Sequence, residues 1–191
     1  MEAVHKEEFV VLDVETTGLS PSSGDRIVEI AALRIKDLKV VEEFHSFIDP
    51  GREISYGAYL VNGITPQMLR GAPTSHGILP KILDFIGTAH VIGHNIKFDL
   101  GFLCHELSLC GLQFSESSNA IDTVRMARKL MPHLGRYPLW YVARSLGIDD
   151  EQEHRALADV QMTFRVFRKL IEVAERQDFL DLKSFLQKIP R

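Results

Sequence analysis

The segment Asp13-Val14-Glu15-Thr16-Thr17-Gly18 directly follows an apolar run, Phe9-Val10-Val11-Leu12. The apolar run reads as a buried strand, so the acidic segment lies at a strand end. Side chains two apart on a strand share a face, which puts the Asp13 and Glu15 carboxylates side by side. Two adjacent like charges are costly unless something neutralises them. A divalent ion does so, and an all-oxygen donor set favours Mg²⁺ or Mn²⁺. The same hexamer also fits a strand ending in a solvated acidic turn.

The 191 residues suffice for one domain with a sizeable core. Hydrophobic residues make up 45% and charged residues 25%, as in an ordinary soluble globular chain. No apolar run approaches the ~20 residues of a membrane span, and the polar, acidic start lacks the pattern of a signal peptide. Cys104 and Cys110 fall in one helical pattern and read as packing residues of a reducing compartment, so the expected location is the cytoplasm. The formal charge of −4 is unevenly spread. Residues 1–120 hold 9 basic against 16 acidic side chains, and residues 121–191 hold 13 against 10. Two divalent ions would cancel the total, so a phosphodiester substrate bound through metals stays open, whereas tight binding to long duplex is disfavoured.

Strands are expected over 9–14, 26–35, 39–48, 89–94 and near 120–121. Lys36-Asp37-Leu38 is short enough for a hairpin turn. Thr65-Pro66 reads as a cap and first position of a short helix to residue 69 or 70. Further helices are expected over 75–86, from 97 to 110, from an Asp122 cap towards 131, from Pro138 to Leu146-Gly147, and from 155 to 175. Asp178 starts a last short helix, with 179–186 amphipathic enough to dock on a partner or to cover its own domain. Three strands followed by alternating strands and helices give an α/β sandwich with a mixed five-stranded sheet flanked by helices.

Two further carboxylates sit in pointed contexts. In His94-Asn95-Ile96-Lys97-Phe98-Asp99, the acid stands at a strand-to-helix junction, where α/β folds place functional groups. Phe102 and Leu103 share its helical face and pull it towards the core, although an acid in a first turn is also ordinary helix capping. In His154-Arg155-Ala156-Leu157-Ala158-Asp159, five residues of helix would turn the two side chains ~140° apart. Placing His154 in the loop before the helix lets it fold back over Asp159. Alternatively, Asp159 is salt-bridged to Arg155 or Arg128.

The order D-x-E-T-T-G, H-N-x-x-F-D, H-x-x-x-x-D resembles the DEDDh family of 3′–5′ exonucleases, whose fold is RNase H-like. The resemblance covers about residues 7–175 and lies in particular with the proofreading epsilon-subunit and PolC-type branches. Asn62-Gly63-Ile64-Thr65 matches a further family segment that usually begins with His. The resemblance implies a single exonuclease domain over 1–191, with 176–191 a C-terminal helix and tail. It implies that Asp13, Glu15, Asp99 and Asp159 hold two Mg²⁺ or Mn²⁺ ions, and that His154 is the general base for the attacking water. Thr16, Thr17, Gly18, Leu19, Asn62, Asn95, Phe98 and Phe102 would contact the terminal nucleotides, with Gly18 allowing close approach and Leu19 acting as an apolar wedge. Phe102 fits plain core packing equally well. The implied substrate is the 3′ end of single-stranded DNA, cleaved to nucleoside 5′-monophosphates. RNA is the alternative, and an inactive binding module is disfavoured because all five family positions are filled. A DNA polymerase is the implied partner; the chain ends soon after its core helices, which fits a free-standing enzyme, a trimmed chain or docking through the folded surface. No membrane role is implied. The histidines at 5, 45, 76, 90, 105 and 133 fit no ligand spacing and read as surface or structural.

Overall fold

The computed structural model of the chain describes residues 8–114, 120–149 and 152–177. Strand β1 (Phe9–Thr16) lies in the middle of a five-stranded sheet ordered β3-β2-β1-β4-β5. The other strands are β2 (Ile27–Lys36), β3 (Lys39–Phe47), β4 (His90–Gly93) and β5 (Ile121–Asp122). Strands β1, β2 and β3 pair antiparallel, whereas β4 pairs parallel with both β1 and β5. This is the mixed sheet the sequence predicts. The β2–β3 turn places Asp37 and Leu38 at φ 51° and 54°, the left-handed pair whose twist matches a two-residue hairpin.

Alternation along β1 divides the core. Phe9 and Val11 face helices α4 (Thr123–Leu130), α5 (Leu139–Ser145) and α6 (Ala156–Arg176). Val10, Leu12 and Val14 face α2 (Ser75–Ile86) and α3 (Lys97–Leu109). A strand covered on both faces must be apolar at nearly every position, and this is why residues 9–12 are. Phe9 and Phe167 on α6 meet with ring centroids 5.6 Å apart, pinning that helix across β1. Burying one such aromatic side chain stabilises the fold by about 2–3 kcal/mol.

One predicted helix is displaced. Helix α1 spans Tyr56–Asn62, and residues 66–71 form turns instead. Ser55 caps α1 by accepting from the Ala58 N–H at 3.2 Å, and Gly63 stops it at φ 64°. α1 buries only Asn62 and leaves Tyr56, Tyr59, Leu60 and Val61 exposed, so its sequence has no apolar stripe to read. At Thr65-Pro66 the backbone makes only i to i+3 bonds, from Met68 to Thr65 and from Arg70 to Gln67. Gly71, at φ 80°, then turns the chain away. The expected final helix beyond residue 178 lies outside the described residues.

Candidate active site

The site is built where β1 outruns its neighbour. β4 pairs with β1 only from Phe9 to Val11, so the end of β1 is open on that side. Asp99, in the first turn of α3, fills part of the gap and accepts the Val14 N–H at 3.0 Å. On the other side, Glu15 lies opposite Glu29 and Thr16 opposite Ile27, a bulge that bends the strand end. Asp13 and Glu15 continue the face of Phe9 and Val11, towards α6. Asp159 lies three residues after Ala156 on the buried stripe of α6, so packing that stripe carries it to the sheet. Asp13, Glu15 and Asp159 each bring a carboxylate oxygen within 4.8 Å of the others.

Burial and mutual repulsion raise the pKa values of these acids. Asp13 is raised well above the ordinary carboxylate range by burial, then by Asp99 and Glu15. Glu15 is pushed up to about 8 by burial and by Asp159. Asp99 also reaches about 8, mainly through burial, despite the Val14 hydrogen bond. Asp159 is raised by burial. Its Oδ1 is buried without a hydrogen-bond partner. Three hard oxygen donors crowded this way, one with an unmet acceptor, suit a divalent cation, and Asp99 is bound to the same strand end.

The two arginines expected beside Asp159 are committed elsewhere. Arg155 does not pair with Asp159; it donates to Glu29 from Nε at 3.0 Å and Nη2 at 2.8 Å. Arg128 lies over the Tyr137 ring. Glu29 is fully buried, contacts His45 at 2.7 Å and accepts the Ala156 N–H at 3.2 Å. It thereby fixes the start of α6, and its bonds to Arg155 and His45 hold its carboxyl below the usual range despite burial. His154 stands in the loop just before α6, at φ 51°, where the sequence expectation puts it.

A cleft of about 630 Å³ opens over Asp13, Glu15 and Asp99. Thr16, Gly18, Leu19, Asn62, Asn95 and Phe98 line it, as does His94. Leu19 projects at the rim, 86% exposed. Asn62 is buried, and its amide donates to the Thr16 carbonyl at 3.3 Å while accepting from the Ile64 N–H. Asn95 sits at φ 68°, a left-handed conformation that asparagine tolerates, and donates to Asp122. The His94 ring is held between Thr123 Oγ1 and the Tyr137 carbonyl, and burial pushes its pKa down.

Three of the expected contact residues meet the protein's own groups. Thr17 is fully buried behind the cleft. Its N–H, carbonyl and hydroxyl are taken by Arg26, Ser55 and Asp25. Phe102 is 1% exposed and packs in the core, with its ring 5.0 Å from that of Phe98. At Gly18, which lines the cleft, a Cβ would also meet the Asp25 carboxylate. Glu29, Arg155 and Gln152, which donates to Asp159 Oδ2 at 2.6 Å, are not singled out by the motifs. Glu29 alone carried a signal, a charge inside the apolar run 27–33.

The model of the exonuclease family matches residues 10–167. The PolC-type DNA polymerase III of Clostridium perfringens is 37% identical over 183 residues, covering 95% of this chain but 12% of the polymerase. The DNA polymerase III epsilon subunit of Rickettsia felis is 38% identical over 167 residues, covering 84% of this chain and 72% of the subunit. The zinc-bound E. coli ExoI–ssDNA complex superposes with a TM-score of 0.78 at 23% identity, covering 90% of this chain and 42% of that one.

Proposed function

This chain belongs to the exonuclease family, and we propose that it is a metal-dependent 3′–5′ exonuclease acting on single-stranded DNA and releasing nucleoside 5′-monophosphates. The observation that carries this reading is the convergence of Asp13, Glu15 and Asp159 within 4.8 Å, with Asp99 bound to the same strand end. Asp13, Glu15, Asp99 and Asp159 would hold two divalent ions, Mg²⁺ or Mn²⁺. When bound, the ions supply Lewis acidity at the scissile phosphate and make water a nucleophile at neutral pH.

The remaining steps belong to the chain. The acidic cluster repels phosphate until its charge is compensated, so cleavage depends on cation. His154 accepts the proton of the attacking water, a task suited to an imidazole. Its loop is fixed by the Glu29–Arg155 lock on one side and is close enough to Asp159 for an imidazolium to lower that acid's pKa. Leu19 and Phe98 offer apolar surface to the terminal base, contacts that tolerate any sequence. Asn62 holds the Thr16 carbonyl and so sets the wall against which the sugar rests. The epsilon-subunit relative supports a DNA polymerase as partner, and a cytoplasmic setting is proposed with it.

A 5′-labelled single-stranded oligonucleotide tests the reading. With Mg²⁺ it should shorten one nucleotide at a time, stop shortening with EDTA, and outpace the same sequence in RNA. Endonucleolytic fragments, or degradation of RNA only, would overturn the mechanism or the substrate respectively.

A further inference from the structure

The Gln152 side chain spans two elements that meet at the site. Its amide nitrogen donates to Asp159 Oδ2 at 2.6 Å, and its amide oxygen accepts the Trp140 N–H at 3.3 Å. Trp140 is the second residue of α5, where a backbone N–H has no intrahelical acceptor. Rotating the amide by half a turn would set oxygen against carboxylate and NH₂ against N–H, so both partners fix its orientation. Asp159 is 4% exposed, and its other oxygen, Oδ1, is the buried atom without a partner.

We propose that Gln152 is a positioning residue that pins Asp159 Oδ2 and thereby presents Asp159 Oδ1 to a divalent cation. The proposal rests on the metal reading of the site given above. A carboxylate torsion is broad and roughly two-fold, so an unpinned Asp159 turns either oxygen away at little cost. Fixing one oxygen from outside the coordination shell removes that freedom before the ion arrives. The amide adds no charge, so it orients the ligand without competing for the ion. Outer partners of this kind typically change metal affinity 10–100-fold.

The test is Mn²⁺ binding followed by electron paramagnetic resonance, without substrate, on wild type, Q152M, Q152N and D159N. Q152M keeps the length and loses both polar contacts. Q152N keeps the amide but is one methylene short of spanning Trp140 and Asp159. Both should weaken Mn²⁺ binding about 10–100-fold, and the Mn²⁺ needed for half-maximal activity should rise in step. KM for the oligonucleotide at saturating metal should stay near wild type, and thermal stability in EDTA should not track the loss. Wild-type Mn²⁺ affinity in Q152M and Q152N, with D159N defective, would overturn the positioning role and leave the metal site standing. Wild-type affinity in D159N would overturn the metal reading itself.

Discussion

Replacing Asp13 by Asn should stabilise the metal-free protein while abolishing its activity. Asp13 has carboxylate oxygens of Glu15 and Asp159 within 4.8 Å. At an effective dielectric of ~20, one such charged pair costs about 3 kcal/mol. The two pairs do not add, because protonation caps the penalty, as the value of about 8 for Glu15 indicates. The sign follows from linkage. An acid whose folded pKa is raised binds more protons in the native state, so its contribution is intact below the unfolded value near 4 and is lost as pH rises through the raised folded value. D13N removes one such acid. It should gain roughly 2–3 kcal/mol at pH 8, or about 4–12 °C in Tm for a chain of this length, and less than about 1 kcal/mol at pH 4.5. The assay is thermal unfolding in EDTA at both pH values, repeated with Mg²⁺. Mg²⁺ should raise the Tm of wild type and leave D13N unmoved. A lower Tm for D13N at pH 8, or an equal gain at the two pH values, would refute the account of crowded, unneutralised charge.

Three other substitutions separate chemistry from architecture. H154A should lower kcat by about 10²–10⁴-fold, in keeping with loss of a general base, with Mn²⁺ affinity within a few-fold of wild type. L19S should raise KM for single strands several-fold and leave Tm unchanged, because Leu19 is at the rim and 86% exposed. R26M should cost about 3 kcal/mol in urea unfolding at pH 7, because it strips the bidentate partner, at 2.6 and 2.7 Å, from the fully buried Glu106. The Glu106 carboxyl lies below its usual range despite burial, held there by Arg26 and Ser75. This contribution is therefore present above pH ~4.5 and fades as acid protonates Glu106.

The parts of this molecule legible from sequence are those with a period or a fixed spacing. Asp13 and Glu15 announce themselves because strand alternation puts residues two apart on one face. Asp159 is legible once His154 is placed outside the helix. Helix α1 is not, because its seven residues bury only Asn62, and a helix with no buried stripe leaves no periodic trace. The partners that hold the site together are long-range. Glu29 and Arg155 are 126 positions apart, and no local pattern couples them. Gln152 is invisible for another reason, since its role depends on the Trp140 N–H and on which Asp159 oxygen it reaches. Gly18 shows the limit of motif reading: beside an expected substrate site, a Cβ there would also press on the Asp25 carboxylate behind it.

The central claim is that the four acids form a metal site that hydrolyses the last phosphodiester of a strand. The most direct measurement labels only the 3′-terminal nucleotide of single-stranded DNA and identifies the product of the first turnover. With Mg²⁺, wild type should release that label as nucleoside 5′-monophosphate, and D13N or an EDTA-treated sample should release none. Label appearing in a longer fragment or as a 3′-monophosphate, or release that persists in D13N, would contradict the account.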